Sequence, residues 1–295
     1  MKAISAAASL AFACLAVLGC TSEVDGHAPR VVRFTARPDA HTTELTAKFR
    51  PLAKALSDKL GVSFEYVPVS SYDASVEAFK HGDIQLAWFG GLTGVQARAS
   101  VPGASAIAQG AIDPSFRSYF IAHASTGIER SEEFPMELAG KTFTFGSARS
   151  TSGRLMPEHY IRQHTGQSPS EFFGRPPGFS GAHDKTAELV SSGAMQAGAL
   201  SYAKYDQLVA DGKLDPEICR IVWVTPEYAD YNWTIHPVLE TWFGAEFPER
   251  VRAAFLELTD PELLEACLRK RFISAENEDF EAIHELATEL EFVRG

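Results

Sequence analysis

Residues 31–91, VVRFTARPDAHTTELTAKFRPLAKALSDKLGVSFEYVPVSSYDASVEAFKHGDIQLAWFGG, decide the fold class. The run from Val31 to Thr35 is rich in strand formers and closes on the turn pair Pro38-Asp39. Leu45, Phe49, Leu52, Leu56 and Leu60 then recur at spacings of three and four, which predicts a helix with one apolar face ended by Gly61. The order repeats: residues 62–67 alternate as a strand, residues 72–81 make a helix stopped by Gly82, and residues 84–89 are a buried strand running into Gly90-Gly91. Parallel strands need a crossover of helical length between them. Strand, helix, strand, helix at this pitch therefore predicts an α/β fold with a mainly parallel sheet.

A second run of the same kind starts near Ser118, with strands at 119–122, 141–145, 197–200 and 221–224 and helices at 154–164 and 183–192. From Trp233 onward the pattern turns mainly helical, at 248–258, 261–270 and 280–291. The order predicts two similar lobes, each a mixed, mainly parallel sheet flanked by helices. Lobe 1 would hold residues 31–117 and 225–295, and lobe 2 residues 118–224, so the chain crosses between them twice. Two crossovers make a hinge. Ligands of open α/β sheets bind at the carboxyl ends of strands, which puts the expected pocket between the lobes.

Bulk properties narrow the function. The chain has 295 residues and a net charge of −11. An acidic surface argues against nucleic acid, which requires a basic footprint. After Lys2, residues 3–18 are small and apolar, too short a run for a membrane span, which needs about 20 apolar residues. The run closes on Val17-Leu18-Gly19-Cys20 and resembles a bacterial lipoprotein signal. On that resemblance residues 1–19 are a signal peptide, Cys20 is the lipidated new N-terminus, and residues 20–30 are a tether at a membrane surface. Of the remaining cysteines, Cys219 and Cys267 leave a disulfide open, and neither has metal-ligand spacing to another Cys or His. No nucleophile elbow, phosphate loop, dinucleotide fingerprint or zinc-helix motif occurs. The chain is therefore expected to be neither an enzyme nor a cofactor or metal protein.

The sharpest local feature is residues 143–157, FTFGSARSTSGRLMP. A strand runs into a loop and then into Ser150, Thr151 and Ser152 at a helix start. Helix N-termini present unpaired N–H groups and partial positive charge, and so attract anions. One cap requires only one hydroxyl. Three in a row point to an anion site.

This stretch resembles the Ser-Thr-Ser-Gly loop of the PhnD-like phosphonate and phosphite substrate-binding proteins of ABC transporters. Three further landmarks follow that family in order: residues 83–90 (DIQLAWFG), Gly181-Ala182-His183-Asp184, and Thr225-Pro226 followed by Tyr231-Asn232-Trp233. The resemblance implies a periplasmic-binding-protein-like fold, and an oxyanion grip formed by Ser150, Thr151, Ser152 and His183. It adds Tyr72, Phe89, Gly90 and Tyr231 as ligand-binding positions. It also implies an ABC permease and its ATPase as partners, and a monomer. Tyr231 falls where aminoalkylphosphonate-binding members carry a carboxylate, and Ser201-Tyr202-Ala203 near the position of a second one. Without them a buried ammonium would be unpaired, which disfavours 2-aminoethylphosphonate. Phosphite, methylphosphonate or a related phosphonate is the expected ligand. Selenate, selenite or a sulfur oxyanion, and a sensor rather than an importer, are the alternatives.

Overall fold

The computed structural model describes residues 30–38 and 42–293. The stretch expected to be a signal peptide, Cys20 and the expected tether up to residue 29 lie outside the described residues. The chain begins β1 (Val32–Ala36), α1 (Thr42–Leu60), β2 (Phe64–Tyr66), α2 (Tyr72–Lys80), β3 (Leu86–Phe89), α3 (Gly91–Ser100) and β4 (Ser105–Gly110). It continues with β5 (Ser118–His123), β6 (Phe143–Phe145), α4 (Met156–Thr165), α5 (Pro169–Phe172) and β7 (Gly178–Phe179). Then come α6 (His183–Ser191), β8 (Ala197–Ser201), α7 (Tyr202–Ala210) and β9 (Cys219–Val224). The last part holds β10 (Asn232–Ile235), α8 (Val238–Phe243), α9 (Phe247–Leu256), α10 (Pro261–Glu265), β11 (Phe272–Ser274) and α11 (Glu281–Glu289).

Two sheets result, so the fold is α/β and two-lobed. One has the order β2-β1-β3-β10-β4-β11, the other β7-β6-β8-β5-β9. In the first, β1 runs parallel to β2 and β3, while β10 inserts antiparallel between β3 and β4. In the second, β6 runs parallel to β7 and β8, and β5 lies antiparallel between β8 and β9. Each lobe thus receives, in its sheet, a strand that has just crossed from the other. The apolar stripe of α1 (Leu45, Phe49, Leu52, Leu56 and Leu60) is buried, and Phe34 of β1 packs edge-to-face on Phe49.

The segments leading from β4 to β5 and from β9 to β10 run side by side. Phe116 and Tyr228 exchange both backbone hydrogen bonds, at 2.9 and 3.0 Å, and the Asp230 N–H donates to the Asp113 carbonyl at 3.1 Å. Asp113 is fully buried and ion-paired with Arg269, whose Nε lies 2.7 Å from Oδ2. A buried pair of this kind tethers the second crossover's neighbour to the chain after α10.

The region after Trp233 departs from expectation. It contributes two strands, β10 and β11, that complete the first sheet. All four residues of β10 are buried, so the strand lacks the alternation that marks a half-exposed one. The helix expected over 261–270 stops at Glu265: Leu268 takes φ 54°, a left-handed conformation that ends a helix, and Arg269 turns inward to Asp113. Cys219 lies on β9 in the second sheet and Cys267 follows α10 beside the first; the two do not form a disulfide. Among the described residues no helix is long and apolar enough to cross a membrane.

Candidate functional site

Pro157 shapes the loop between β6 and α4. Proline has no N–H, so it cannot close the helical bond back to the Gly153 carbonyl. That carbonyl accepts from the Gly146 N–H at 2.8 Å instead. The chain widens into a π-type turn over Thr151–Leu155, with the Leu155 N–H donating to the Ser150 carbonyl at 3.0 Å. Such turns recur at functional sites. A Cβ on Gly153 would lie 3.2 Å from both Gly146 Cα and His183 Cε1, so glycine is what lets these three segments meet.

The three hydroxyls of the turn have separate roles. Ser150 is the cap, its Oγ accepting from the Gly153 N–H at 3.0 Å. Thr151 reaches across the cleft, where its Oγ1 accepts from the Leu92 N–H at 2.9 Å at the start of α3. Ser152 is fully buried and its Oγ makes no hydrogen bond within the protein, which leaves the hydroxyl free to donate. His183 opens α6 and is also buried. Its Nδ1 accepts from the Ser201 N–H at 3.3 Å, so the neutral ring carries its proton on Nε2, which is the nitrogen able to donate.

The first lobe supplies the opposite wall. Gly90 caps α3 without a side chain, and a Cβ there would come within 3.2 Å of Thr151 Oγ1 and 3.3 Å of Asp230 Oδ1. The absent side chain leaves the α3 N-terminus open to groups from elsewhere. The Gly91 N–H donates to Asp230 Oδ1 at 2.8 Å, beside the Leu92–Thr151 bond. Tyr72 is buried at the start of α2. Phe89 packs edge-to-face on Phe79, in an apolar cluster with Ile84, Ala97 and Val101. Trp88, on the other face of β3, stacks on Tyr231 at 5.8 Å. The structure thus gathers Thr151, Ser152, Gly90 and Tyr231 around one point with His183 behind the turn, while Ser150 faces its own helix and Phe89 faces the core.

Sequence reasoning missed Asp230. It placed the crossover's candidate at Tyr231 and found no carboxylate, yet the preceding residue brings one into the cleft. Asp230 is fully buried. Burial raises its pKa to about 6, although the Gly91 N–H and the Thr151 hydroxyl pull the other way. Its Oδ2 makes no hydrogen bond within the protein. Two arginines were also missed. The Arg37 guanidinium lies 4.0 Å over the Tyr231 ring and that of Arg269 4.9 Å from it. A lone Asp in a crossover and single arginines beside strands carry no local pattern, so no signal in the sequence marks them.

A buried set of hydroxyl, imidazole and helix-terminal donors, with one carboxylate acceptor, sits between the two α/β lobes. That combination defines a periplasmic-type substrate-binding protein for a small oxyanion. Over residues 34–280 the chain matches the family described as ABC transporter, phosphonate, periplasmic substrate-binding protein, and it belongs to that family. It is 37% identical over 273 residues to the probable ABC transporter phosphite binding protein PhnD1 of Prochlorococcus marinus, covering 90% of this chain and 92% of that one. The structure of PhnD1 in complex with methylphosphonate superposes with a TM-score of 0.84 at 36% identity, covering 90% of this chain and 100% of that one. The phosphate-import protein PhnD of Mycolicibacterium smegmatis is 29% identical over 241 residues, 78% of this chain and 72% of its own. The chain is thus the periplasmic binding component of an ABC importer rather than an enzyme.

Proposed function

We propose that this chain captures a small phosphorus oxyanion carrying one proton, phosphite or methylphosphonate, and delivers it to an ABC permease. The carrying observation is Asp230 Oδ2, a buried carboxylate oxygen without a protein partner among donors that suit an anion. Two anions in one dry site repel unless a proton lies between them. Phosphite and phosphonates keep an acidic O–H near neutral pH that can donate to Asp230, while Thr151, Ser152 and His183 Nε2 hold the remaining oxygens. Sulfate and selenate keep no such proton and meet the carboxylate unshielded. The names of the relatives, a phosphite-binding protein and a structure holding methylphosphonate, support the same ligand class. For 2-aminoethylphosphonate, Asp230 provides one carboxylate, but Ser201, Tyr202 and Ala203 provide no second.

The test is thermal-shift screening of ligand-stripped protein. Phosphite and methylphosphonate should raise the melting temperature by mass action; at a hundred times Kd the gain is about 2.7 kcal/mol. Sulfate, selenate and 2-aminoethylphosphonate should do little. Stabilisation by selenate or sulfate and none by the phosphorus oxyanions would overturn the assignment.

The moving parts follow from the crossovers. We place the lobe boundaries at 117/118 and 224/225, where the paired crossover segments supply a two-stranded hinge, and the site is complete in one chain, as a monomer requires. Anchoring through Cys20 belongs to the same reading, supported by the apolar run that ends there. Cys20→Ala should abolish labelling by a fatty-acid probe and move the protein from the membrane to the soluble fraction. Unchanged labelling would remove the anchor.

A further inference from the structure

The grip turn is flanked by two arginines, Arg149 and Arg154, and both reach the same residue of the other lobe. Arg149 Nε pairs with Asp73 Oδ1 at 2.7 Å, one residue after Tyr72, and its Nη1 donates to the Phe292 carbonyl at 3.4 Å. The Arg154 guanidinium lies 4.4 Å over the Phe145 ring, inside its own lobe, and 5.4 Å from the Phe292 ring. Glu158 holds Arg154 from below by an ion pair. Phe292 follows α11, and Gln96 Nε2 of α3 donates to its carbonyl at 2.8 Å. The C-terminal segment therefore links α3, whose first N–H groups meet Asp230 and Thr151, to both ends of the turn that carries Thr151 and Ser152.

We propose that Arg149, with the C-terminal segment through Phe292, is a clasp that sets the lifetime of the closed state. Arg149 is a positioning residue. It touches no ligand; it holds Ser152 and Thr151 against α3 only while Asp73 and Phe292 are in reach, that is, while the lobes are shut. The contacts form after ligand entry and break before release, so they act on dissociation. The Arg149 and Asp73 side chains are 38% and 61% exposed, so the pair is partly screened and its effect moderate.

The proposal rests on the oxyanion reading above, and the test separates the two. Association and dissociation of methylphosphonate are measured on full-length wild type, Arg149→Met, Asp73→Asn and the double variant. Each single variant should dissociate about three- to tenfold faster, with association nearly unchanged. The double variant should lose no more than the worse single one, because both remove one contact. High salt should speed wild-type dissociation and leave Arg149→Met unaffected. Equal dissociation rates in wild type and Arg149→Met, or additive losses in the double variant, overturn the clasp. If wild type binds neither methylphosphonate nor phosphite, the ligand assignment falls instead. The clasp is then judged on the empty protein by small-angle scattering: Arg149→Met must be more expanded than wild type at low salt, and equal radii of gyration overturn it.

Discussion

Ser152→Ala and His183→Ala should each weaken oxyanion binding by roughly 10- to 150-fold while leaving the empty protein folded. Both groups are buried and able to donate, Ser152 from the turn itself and His183 from behind it. A hydrogen bond to a charged partner contributes about 1.5–3 kcal/mol when the alternative is an unsatisfied buried group, which converts to that range in affinity. Ser150→Ala provides the internal control. Its Oγ is committed to the Gly153 N–H, so its loss should lower stability by about 1 kcal/mol, as lost caps do, with affinity little changed. Thr151→Ala should resemble Ser152→Ala in affinity, because its hydroxyl bridges the lobes to the Leu92 N–H. Calorimetric titration of the four variants, beside their melting curves without ligand, separates grip from cap. Equal affinities across all four would reduce the turn to a helix cap and place the oxyanion elsewhere.

The second large effect concerns Asp230. Its folded pKa is raised to about 6 from 3.8, chiefly by burial. A raised folded pKa means that the native state binds the proton more tightly than the unfolded chain. The associated stability is fully present below about pH 4 and is lost as pH rises through about 6. At neutral pH the buried charge therefore costs on the order of 3 kcal/mol in the empty, closed protein. Asp230→Asn should remove this and raise the melting temperature at pH 7–8 by roughly 5 °C, with the advantage shrinking to nothing near pH 4. The same substitution should weaken phosphite or methylphosphonate binding by about tenfold or more, because the acceptor for the ligand's O–H becomes neutral. A variant that is both more stable when empty and worse at binding is the signature of a group held for function. A less stable variant at pH 7–8 would mean that Asp230 serves mainly to cap α3.

Where local chemistry decides, the sequence is readable. The helix α1 shows in its apolar spacing and is buried along that stripe. The turn at residues 150–153 shows in its hydroxyls and glycine, because a helix start draws on residues adjacent in the chain. The helix α3 does not show: its sequence GLTGVQARAS is small and weakly patterned, and it is fixed by packing between α2 and α11. β10 and β11 are hidden for related reasons, one buried along its whole length, the other only three residues long. Cys20, proposed as the anchor, is a further local signal, lying outside the described residues.

The sequence by itself determined the two α/β runs, the crossovers and the hydroxyl-rich turn before α4, since each depends on periodicity or on neighbours within a few residues. Only the tertiary structure decided which hydroxyl is a cap and which faces the cleft, because Pro157 frees the Gly153 carbonyl for Gly146 and thereby sets the turn's pitch. It also brought Asp230 to the start of α3, beside Thr151. The hydrogen bond that fixes this carboxylate comes from Gly91, 139 residues away, and its raised pKa comes from burial by segments of both lobes. Desolvation depends on everything that packs around a group, and no window of sequence contains that.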